Sequence, residues 1–303
     1  MTGYTEFALK RYRELIGELP TEELLKANER PLPQAIRCNT LVIKPDEMVK
    51  NLEEKEFKLK RSNLASYIFF VTESPLPLGA TTEYLLGYYY IQDMASMCPP
   101  IELEPHGLVV DLCAAPGGKT THLSQLAPDS AVVAVDIDRH RMKSLRSNVQ
   151  RCNCTNTVLI RMDARKLEET GLEPDCVLVD PPCSGEGIIR KDPGAGSRIL
   201  KSNIDKYAEV QRGIIDSAHA SLKNGGTLVY STCTIAPEEN EFQVRHMVDD
   251  LGMKLEDLKL KWYSPGLTKI FGDELPKDYK KCGRLWPHVQ NTTGFFVAKL
   301  RKP

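Results

Sequence analysis

Cys183 stands in the stretch Asp180-Pro181-Pro182-Cys183-Ser184-Gly185-Glu186, and Cys233 in Tyr230-Ser231-Thr232-Cys233-Thr234. Each closes or follows an apolar run that reads as a buried strand, Asp175 to Asp180 and Thr227 to Cys233. A free cysteine is most often a small buried hydrophobe. The surroundings argue for chemistry instead. Two prolines shape a rigid turn beyond the first run, and Pro237-Glu238-Glu239 starts a helix soon after the second cysteine. A thiol near a helix N-terminus has a lowered pKa and is more thiolate at neutral pH. In open α/β sheets ligands bind outside the carboxyl ends of the strands, which is where both thiols fall.

The elements that would position them emerge from residue 107 onward. Apolar runs at Leu108 to Cys113, Ala131 to Asp136, Thr157 to Arg161, Asp175 to Asp180 and Thr227 to Cys233 alternate with helical stretches. Alternation of this kind implies a doubly wound, mostly parallel α/β sheet covered on both faces. The helix carrying Tyr207, Val210, Ile214, Ile215, Ala218 and Leu222 ends at Asn224-Gly225-Gly226, and Gly294 to Leu300 reads as an added edge strand. Upstream, Phe7, Ala8, Tyr12, Leu15, Ile16 and Leu19 recur at helical spacing. Ala35 to Ile43 reads as a strand, Pro45 opens a helix running to about Lys55, and Tyr67 to Thr72 reads as another strand. The expected organisation is a small N-terminal α+β domain over residues 1–90 and a Rossmann-like domain over residues 91–303. The boundary is soft because Pro75, Pro77 and Gly79 break the pattern.

The loop DLCAAPGGKTT, from Asp111 to Thr121, follows the first strand of that sheet. Gly117-Gly118 lets the backbone turn into a helix whose N-terminus can face a polar ligand. It approaches a triphosphate-binding loop, but Cys113 replaces the first glycine and Pro116 sits inside. With Asp180 as a magnesium-holding acid, an NTPase remains an alternative. Against it, Asp136 ends the second strand, where a carboxylate meets the ribose hydroxyls of a bound nucleoside. With no second glycine for a pyrophosphate, the expected ligand is a nucleoside without phosphates, S-adenosyl-L-methionine being the common one. Asp163, in Arg161-Met162-Asp163-Ala164-Arg165, is then expected at the adenine amino group. Singly, such acids are more often helix caps or solvated turns; Asp136, Asp163 and Asp180 close successive strands on one rim.

Carbon 5 of a pyrimidine is too weak a nucleophile to take a methyl group, whereas amine or hydroxyl acceptors need no covalent help. Attack of a thiolate at carbon 6 makes carbon 5 enamine-like. After transfer, the proton on carbon 5 must leave and the thiolate must be expelled, and a second thiol can assist. Asp180 can share a proton with the ring nitrogen and amino group of a cytosine.

DLCAAPGGKT, AVDID followed by Arg141, MDAR, DPPCSG and STCT resemble the RNA cytosine-5 methyltransferase family of the Sun and Nop type, archaeal tRNA 5-methylcytosine members included. The likeness runs over about Gly107 to Leu300, and RCNTL from Arg37 with YIQDMASM from Tyr90 extends it toward the N-terminus. DNA cytosine-5 enzymes of comparable chemistry carry a nucleophile in the DPPC-like loop and lack the second cysteine. The resemblance implies Cys233 as nucleophile and Cys183 as the residue aiding product release. It implies S-adenosyl-L-methionine contacts from Cys113, Ala114, Ala115, Pro116, Gly117, Gly118, Lys119, Asp136, Arg141, Asp163 and Asp180, with Lys119 near the methionine part or the substrate. The N-terminal region resembles a partial RNA-recognition fold.

The 303 residues carry a net charge of −1, so an RNA partner must be held by local clusters. Arg139, His140, Arg141, Lys143, Arg146 and Arg151 form one cluster; Lys50, Lys55, Lys58, Lys60 and Arg61 form another. Arg37, Lys44 and the aromatics Tyr67, Phe69 and Phe70 are candidate helpers, though core packing suits the aromatics better, and Arg190, Lys191, Arg284 and His288 are weaker candidates. Nine cysteines without an apolar leader fit a reducing cytoplasm, and Cys152-Asn153-Cys154 lacks the second pair of a zinc site. The expectation is a cytoplasmic monomer acting on RNA, tRNA first and rRNA second, with no metal and no membrane span. An amine-directed methyltransferase and a non-catalytic RNA-binding module stand as the other readings.

Overall fold

The computed structural model describes residues 3–303. The chain opens with α1 (Glu6–Ile16), capped by the Thr5 hydroxyl, which accepts from the Ala8 amide at 3.1 Å. α2 (Glu18–Asn28) follows at once through Gly17, whose φ of 86° lets the two helices reverse direction. Next come β1 (Gln34–Cys38), α3 (Pro45–Glu53), β2 (Lys58–Arg61), β3 (Ile68–Glu73), the single turn α4 (Thr82–Leu85) and β4 (Tyr89–Ile91). The strands form an antiparallel sheet in the order β2-β3-β1-β4. Ile36, Cys38 and Phe69 pack there against Met48 and Leu52 of α3. β1 ends well short of Ile43 because Asn39 ties the chain elsewhere: its Nδ2 donates to the carbonyls of Gly87 and Cys152, and its Oδ1 accepts from the Leu41 amide.

α5 (Met94–Leu103) leads into β5 (Leu108–Leu112), α6 (Gly118–Leu126), β6 (Ala131–Asp136), α7 (Arg141–Arg151), β7 (Thr157–Arg161), β8 (Cys176–Val179), α8 (Lys201–Ser221) and β9 (Thr227–Thr232). α9 (Glu241–Arg245) widens into a π turn, and β10 (Lys254–Glu256), β11 (Ser264–Pro265), the hairpin β12 (Lys269–Ile270) and β13 (Asp273–Glu274), β14 (Gly283–Leu285), α10 (Pro287–Gln290) and β15 (Phe295–Arg301) close the chain. The large sheet runs β11-β14-β15-β9-β8-β5-β6-β7, with β10 also on β15. Its centre from β9 to β7 is parallel, as the continuous apolar runs require of strands buried on both faces. Val110, Val133, Val177 and Leu228 turn toward α8, while Val109, Val132, Leu178 and Val229 turn toward α5. β15 is interior, antiparallel to β9 on one side and to β14 and β10 on the other, so the edge position expected for Gly294 to Leu300 is corrected. The strands that cover it are three residues long, too short to show alternation in sequence.

Two features of the fold matter for the site. β5 has β6 on one side and β8 on the other, so the chain reverses its direction of travel at β5 and opens a crevice beyond the ends of β5 and β8. The first two helices leave the small sheet and pack their apolar faces, Ala8, Tyr12 and Leu24, against Ile189, Ile199, Ile204, Ile235 and Trp286 of the large unit. The small sheet proper therefore begins at Gln34. Among the described residues no helix is long and apolar enough to cross a membrane.

Candidate active site

At the end of β5 the chain enters its loop through Cys113 in a left-handed conformation, φ 62°, which a non-glycine residue adopts only under constraint. Ala114 donates to Val135 at 2.9 Å, and Gly117, φ 107°, turns the backbone into α6. A Cβ on Gly118 would lie 3.2 Å from Gln92 Nε2 and 3.3 Å from the Tyr90 ring, so the loop packs closely against the segment before α5. Asp136 at the tip of β6 is buried, and its Oδ2 accepts from the Ala115 amide at 3.0 Å. Arg141 donates to the Ala115 carbonyl, so this acid and this base hold Ala115 by the two peptides that flank it. Asp163, past β7, caps the turn that follows and pairs with Arg165 at 2.6 Å.

The centre of the crevice is a charged pair. Lys119 Nζ donates to Asp180 Oδ2 at 2.6 Å, and Ser231 Oγ donates to Asp180 Oδ1 at 2.9 Å. Burial by itself would push the Lys119 ammonium down, but Asp180 and Asp111 hold its pKa above the usual lysine value. Asp111 lies fully buried beneath it; burial pushes its carboxyl up to about 7, although the Thr120 hydroxyl donates to it at 2.6 Å. Beside the pair, Cys183 Sγ and Cys233 Sγ face each other at 3.0 Å, both free thiols and both partly accessible. The Cys183 thiol is pushed well above the ordinary cysteine value, first by its hydrogen bond with Cys233 and then by burial. Cys233 in turn helps raise Lys119, so thiols and charged pair share one field.

Residues 100–301 match the family described as 16S rRNA methyltransferase RsmB/F, and residues 5–94 match the N-terminal domain of 16S rRNA methyltransferase RsmF. The chain belongs to the RsmB/F methyltransferase family. A 28S rRNA (cytosine-C(5))-methyltransferase of Mus musculus is 35% identical over 99% of this chain, which corresponds to 39% of that protein. A methyltransferase homolog protein of Pyrococcus horikoshii is 37% identical with a TM-score of 0.91, covering 100% of this chain and 96% of that one. NSun6 from the same organism, solved with SFG, is 27% identical with a TM-score of 0.89, covering 99% and 98%. The chain spans 38% to 62% of the length of the first curated relatives it matches.

In this RsmB/F chain the two cysteine loops are joined by residues that the sequence did not single out as functional. Glu239 is completely buried, and its Oε2 accepts from the Ser184 amide at 2.9 Å and from Gln211 Nε2 at 2.8 Å. Gln211 Nε2 also donates to the Pro182 carbonyl at 3.0 Å, and Tyr230 OH donates to the Glu239 carbonyl at 2.7 Å. Ser184 and Thr234 join hydroxyls at 2.8 Å, and the Gly187 amide donates to the Cys233 carbonyl at 2.9 Å. The only sequence signal for Glu239 was the Pro-Glu-Glu helix start; Gln211 sits mid-helix in α8, where no local pattern distinguishes it.

Two expectations are corrected. The helix behind Cys233 is one three-residue turn, Pro237–Glu239, and Asn240 at φ −123°, ψ −96° separates it from the five-residue α9, so no long dipole backs that thiol. Arg284 is 1% exposed and donates to both carboxylate oxygens of Glu241, which removes it from the nucleic-acid candidates. The RsmB/F chain spends this arginine on holding β14 to α9. Phe69 lies in the core of the small sheet, and Tyr67 donates to or accepts from His122 Nε2 at 3.0 Å within the interior.

Proposed function

We propose that the chain transfers the methyl group of S-adenosyl-L-methionine to carbon 5 of a cytosine in RNA, through a transient bond between Cys233 and carbon 6 of the base. The observation that carries this reading is the approach of two free thiols to 3.0 Å beside the Lys119–Asp180 pair. An amine acceptor would need neither sulfur.

The crevice suits a phosphate-free, cationic nucleoside. Its acids are Asp136, Asp163 and Asp180, with Asp111 buried beneath, and its lysine is already committed to Asp180. Among the described residues a triphosphate would find Lys119 tied to Asp180 and Arg141 to Asp136. When bound, S-adenosyl-L-methionine supplies an electrophilic methyl group. Asp136 and Arg141 hold Ala115, which would face it, and Asp163 would meet the adenine.

Because Cys183 keeps its proton, it donates to Cys233, which releases its own proton to solvent and attacks carbon 6 with the freed electron pair. Asp180, held in place by Lys119 and Ser231, shares a proton with the ring nitrogen and amino group as charge develops. Carbon 5 takes the methyl group from the sulfonium and then gives its own proton to solvent water; the carbon–sulfur bond breaks, the electron pair returns to Cys233, and the Cys183 thiol stabilises the departing thiolate by its hydrogen bond. The matched family and the mouse relative are named for ribosomal RNA, which supports rRNA over the tRNA that the chain's size suggested. The test is transfer of labelled methyl from S-adenosyl-L-methionine to ribosomal RNA and, separately, to tRNA. Label in 5-methylcytosine is expected; label in an exocyclic amine, or in neither RNA, sinks the reading.

A further inference from the structure

We propose that the cleft between α2 and α10 is a phosphodiester-binding subsite for the RNA strand that leads to the target base; it rests on the RNA reading above. The cleft has a volume of about 580 Å³ and is lined by Glu23, Lys26, Arg30, Arg190, His288 and Asn291 among others. Three cations and a single acid face one cavity, in a chain whose 40 basic and 41 acidic residues otherwise cancel. Local charge of this kind is where a near-neutral protein can meet a polyanion.

Arg190 is the centre of the cleft. Its Nε donates to the Arg30 carbonyl at 3.1 Å, its Nη1 to Asn291 Oδ1 at 3.0 Å, and its Nη2 to the Pro31 carbonyl at 2.6 Å. Neutral acceptors fix the guanidinium, among the described residues no carboxylate forms an ion pair with it, and burial with the nearby Arg30 lowers its pKa while Asp93 opposes the fall. Holding a cation in place without a counter-ion leaves its field for an incoming anion. Arg30 is exposed, with no ion pair or side-chain hydrogen bond among the described residues, and Lys26 reaches only Glu22, at 4.0 Å. His288 adds a buried Nδ1 that no protein group satisfies.

The connection to the chemistry is the chain itself. Arg190 belongs to the segment that begins at Cys183, and Gly187 between them bonds to the Cys233 carbonyl. A phosphate seated against Arg190, Arg30 and Lys26 would tie the cysteine segment to α2 and so register the strand against the two thiols.

The experiment measures binding of a short fluorescein-labelled oligocytidine RNA as a function of salt, for the wild type, for Lys26→Ala with Arg30→Ala, and for a charge-matched control, Lys277→Ala with Lys280→Ala. Both pairs are exposed, so folding is spared. Each phosphate contact on a single strand contributes about 0.7 to the slope of log K against log salt. The cleft variant is expected to lose about one unit of slope and about tenfold in affinity at 0.1 M salt, while the control keeps both. All three should retain the melting-temperature rise given by S-adenosylhomocysteine. A cleft variant whose slope and affinity match the control overturns the subsite. A wild type that ignores the RNA also overturns it, and the S-adenosylhomocysteine shift shows in the same samples whether the methyl-donor reading survives.

Discussion

The sulfurs of Cys183 and Cys233, which stand 50 residues apart in sequence, face each other at 3.0 Å without a covalent bond. If Cys233 forms the bond to the base and Cys183 aids its release, the two alanine variants part company. Cys183→Ala, given RNA and S-adenosyl-L-methionine, should accumulate a protein–RNA adduct that survives denaturing electrophoresis. Cys233→Ala should form none and be inactive. Methylation by both variants would end the two-thiol mechanism.

The strands that carry these thiols were legible because fully buried parallel strands read as unbroken apolar runs, and the turn after the first of them carries Pro181 and Pro182. The residues that set the distance between the thiols were not. Gln211 and Glu239 acquire their roles only when α8 and the turn after β9 are brought together, and an isolated glutamate in a helix start looks like any solvated cap. Arg284 misled for the converse reason: a charge next to an apolar run does not announce a buried partner, and Glu241 lies 43 positions away. The helical spacing from Phe7 was legible, but Gly17 ends that helix before Leu19, which falls exposed in α2, and nothing local says that Tyr12 and Leu24 will face Ile189 and Trp286 and not the small sheet.

Glu239 holds both cysteine loops through one carboxylate oxygen, and its other oxygen has no partner. Glu239→Gln keeps an acceptor for Ser184 and Gln211 and places its amide where nothing is displaced. Glu239→Ala leaves both donors buried and unsatisfied, at about 1–3 kcal/mol each. We expect the alanine variant to melt lower by a margin equivalent to about 2–4 kcal/mol and to lose turnover, with the glutamine variant within about 1 kcal/mol of the wild type. Equal melting curves for the two variants would show that this carboxylate does not clamp the loops.

Gly187 crosses Gly294 so closely that a Cβ would lie 2.0 Å from the Gly294 carbonyl oxygen and 2.7 Å from that of Cys233. Backbone must move to admit a methyl group, and the backbone in question carries the nucleophile. Gly187→Ala is expected to cut methyl transfer by about 100-fold, the scale of an ångström-sized misplacement. The contacts of Gly187 are with Gly294 and Cys233 and not with the loop after β5, so the melting shift with S-adenosylhomocysteine should persist. Wild-type turnover in this variant would separate the crossing from catalysis.

Glu186 lies 2% exposed in the Cys183 segment, and neither carboxylate oxygen has a hydrogen-bond partner. Burial pushes its pKa up to about 8; Arg11 opposes the rise, Glu239 and Glu238 reinforce it, and Arg284 opposes it further. Arg11 is itself held by Glu238, at 2.6 Å, which leaves Glu186 without a dedicated cation. A carboxyl whose folded pKa is raised binds its proton more tightly in the native state than in the unfolded one. Its contribution is fully present below the ordinary value of 4.5 and is lost as pH climbs to about 8. At about 1.4 kcal/mol per pKa unit the loss is on the order of 4 kcal/mol across that window. Glu186→Gln mimics the protonated acid and cannot ionise, so it should gain steadily in melting temperature relative to the wild type between pH 5 and pH 9, by several degrees at the alkaline end. The difference between the two proteins isolates this one group from every other titration in the chain, and a difference that stays flat with pH would mean that Glu186 is already ionised where it lies.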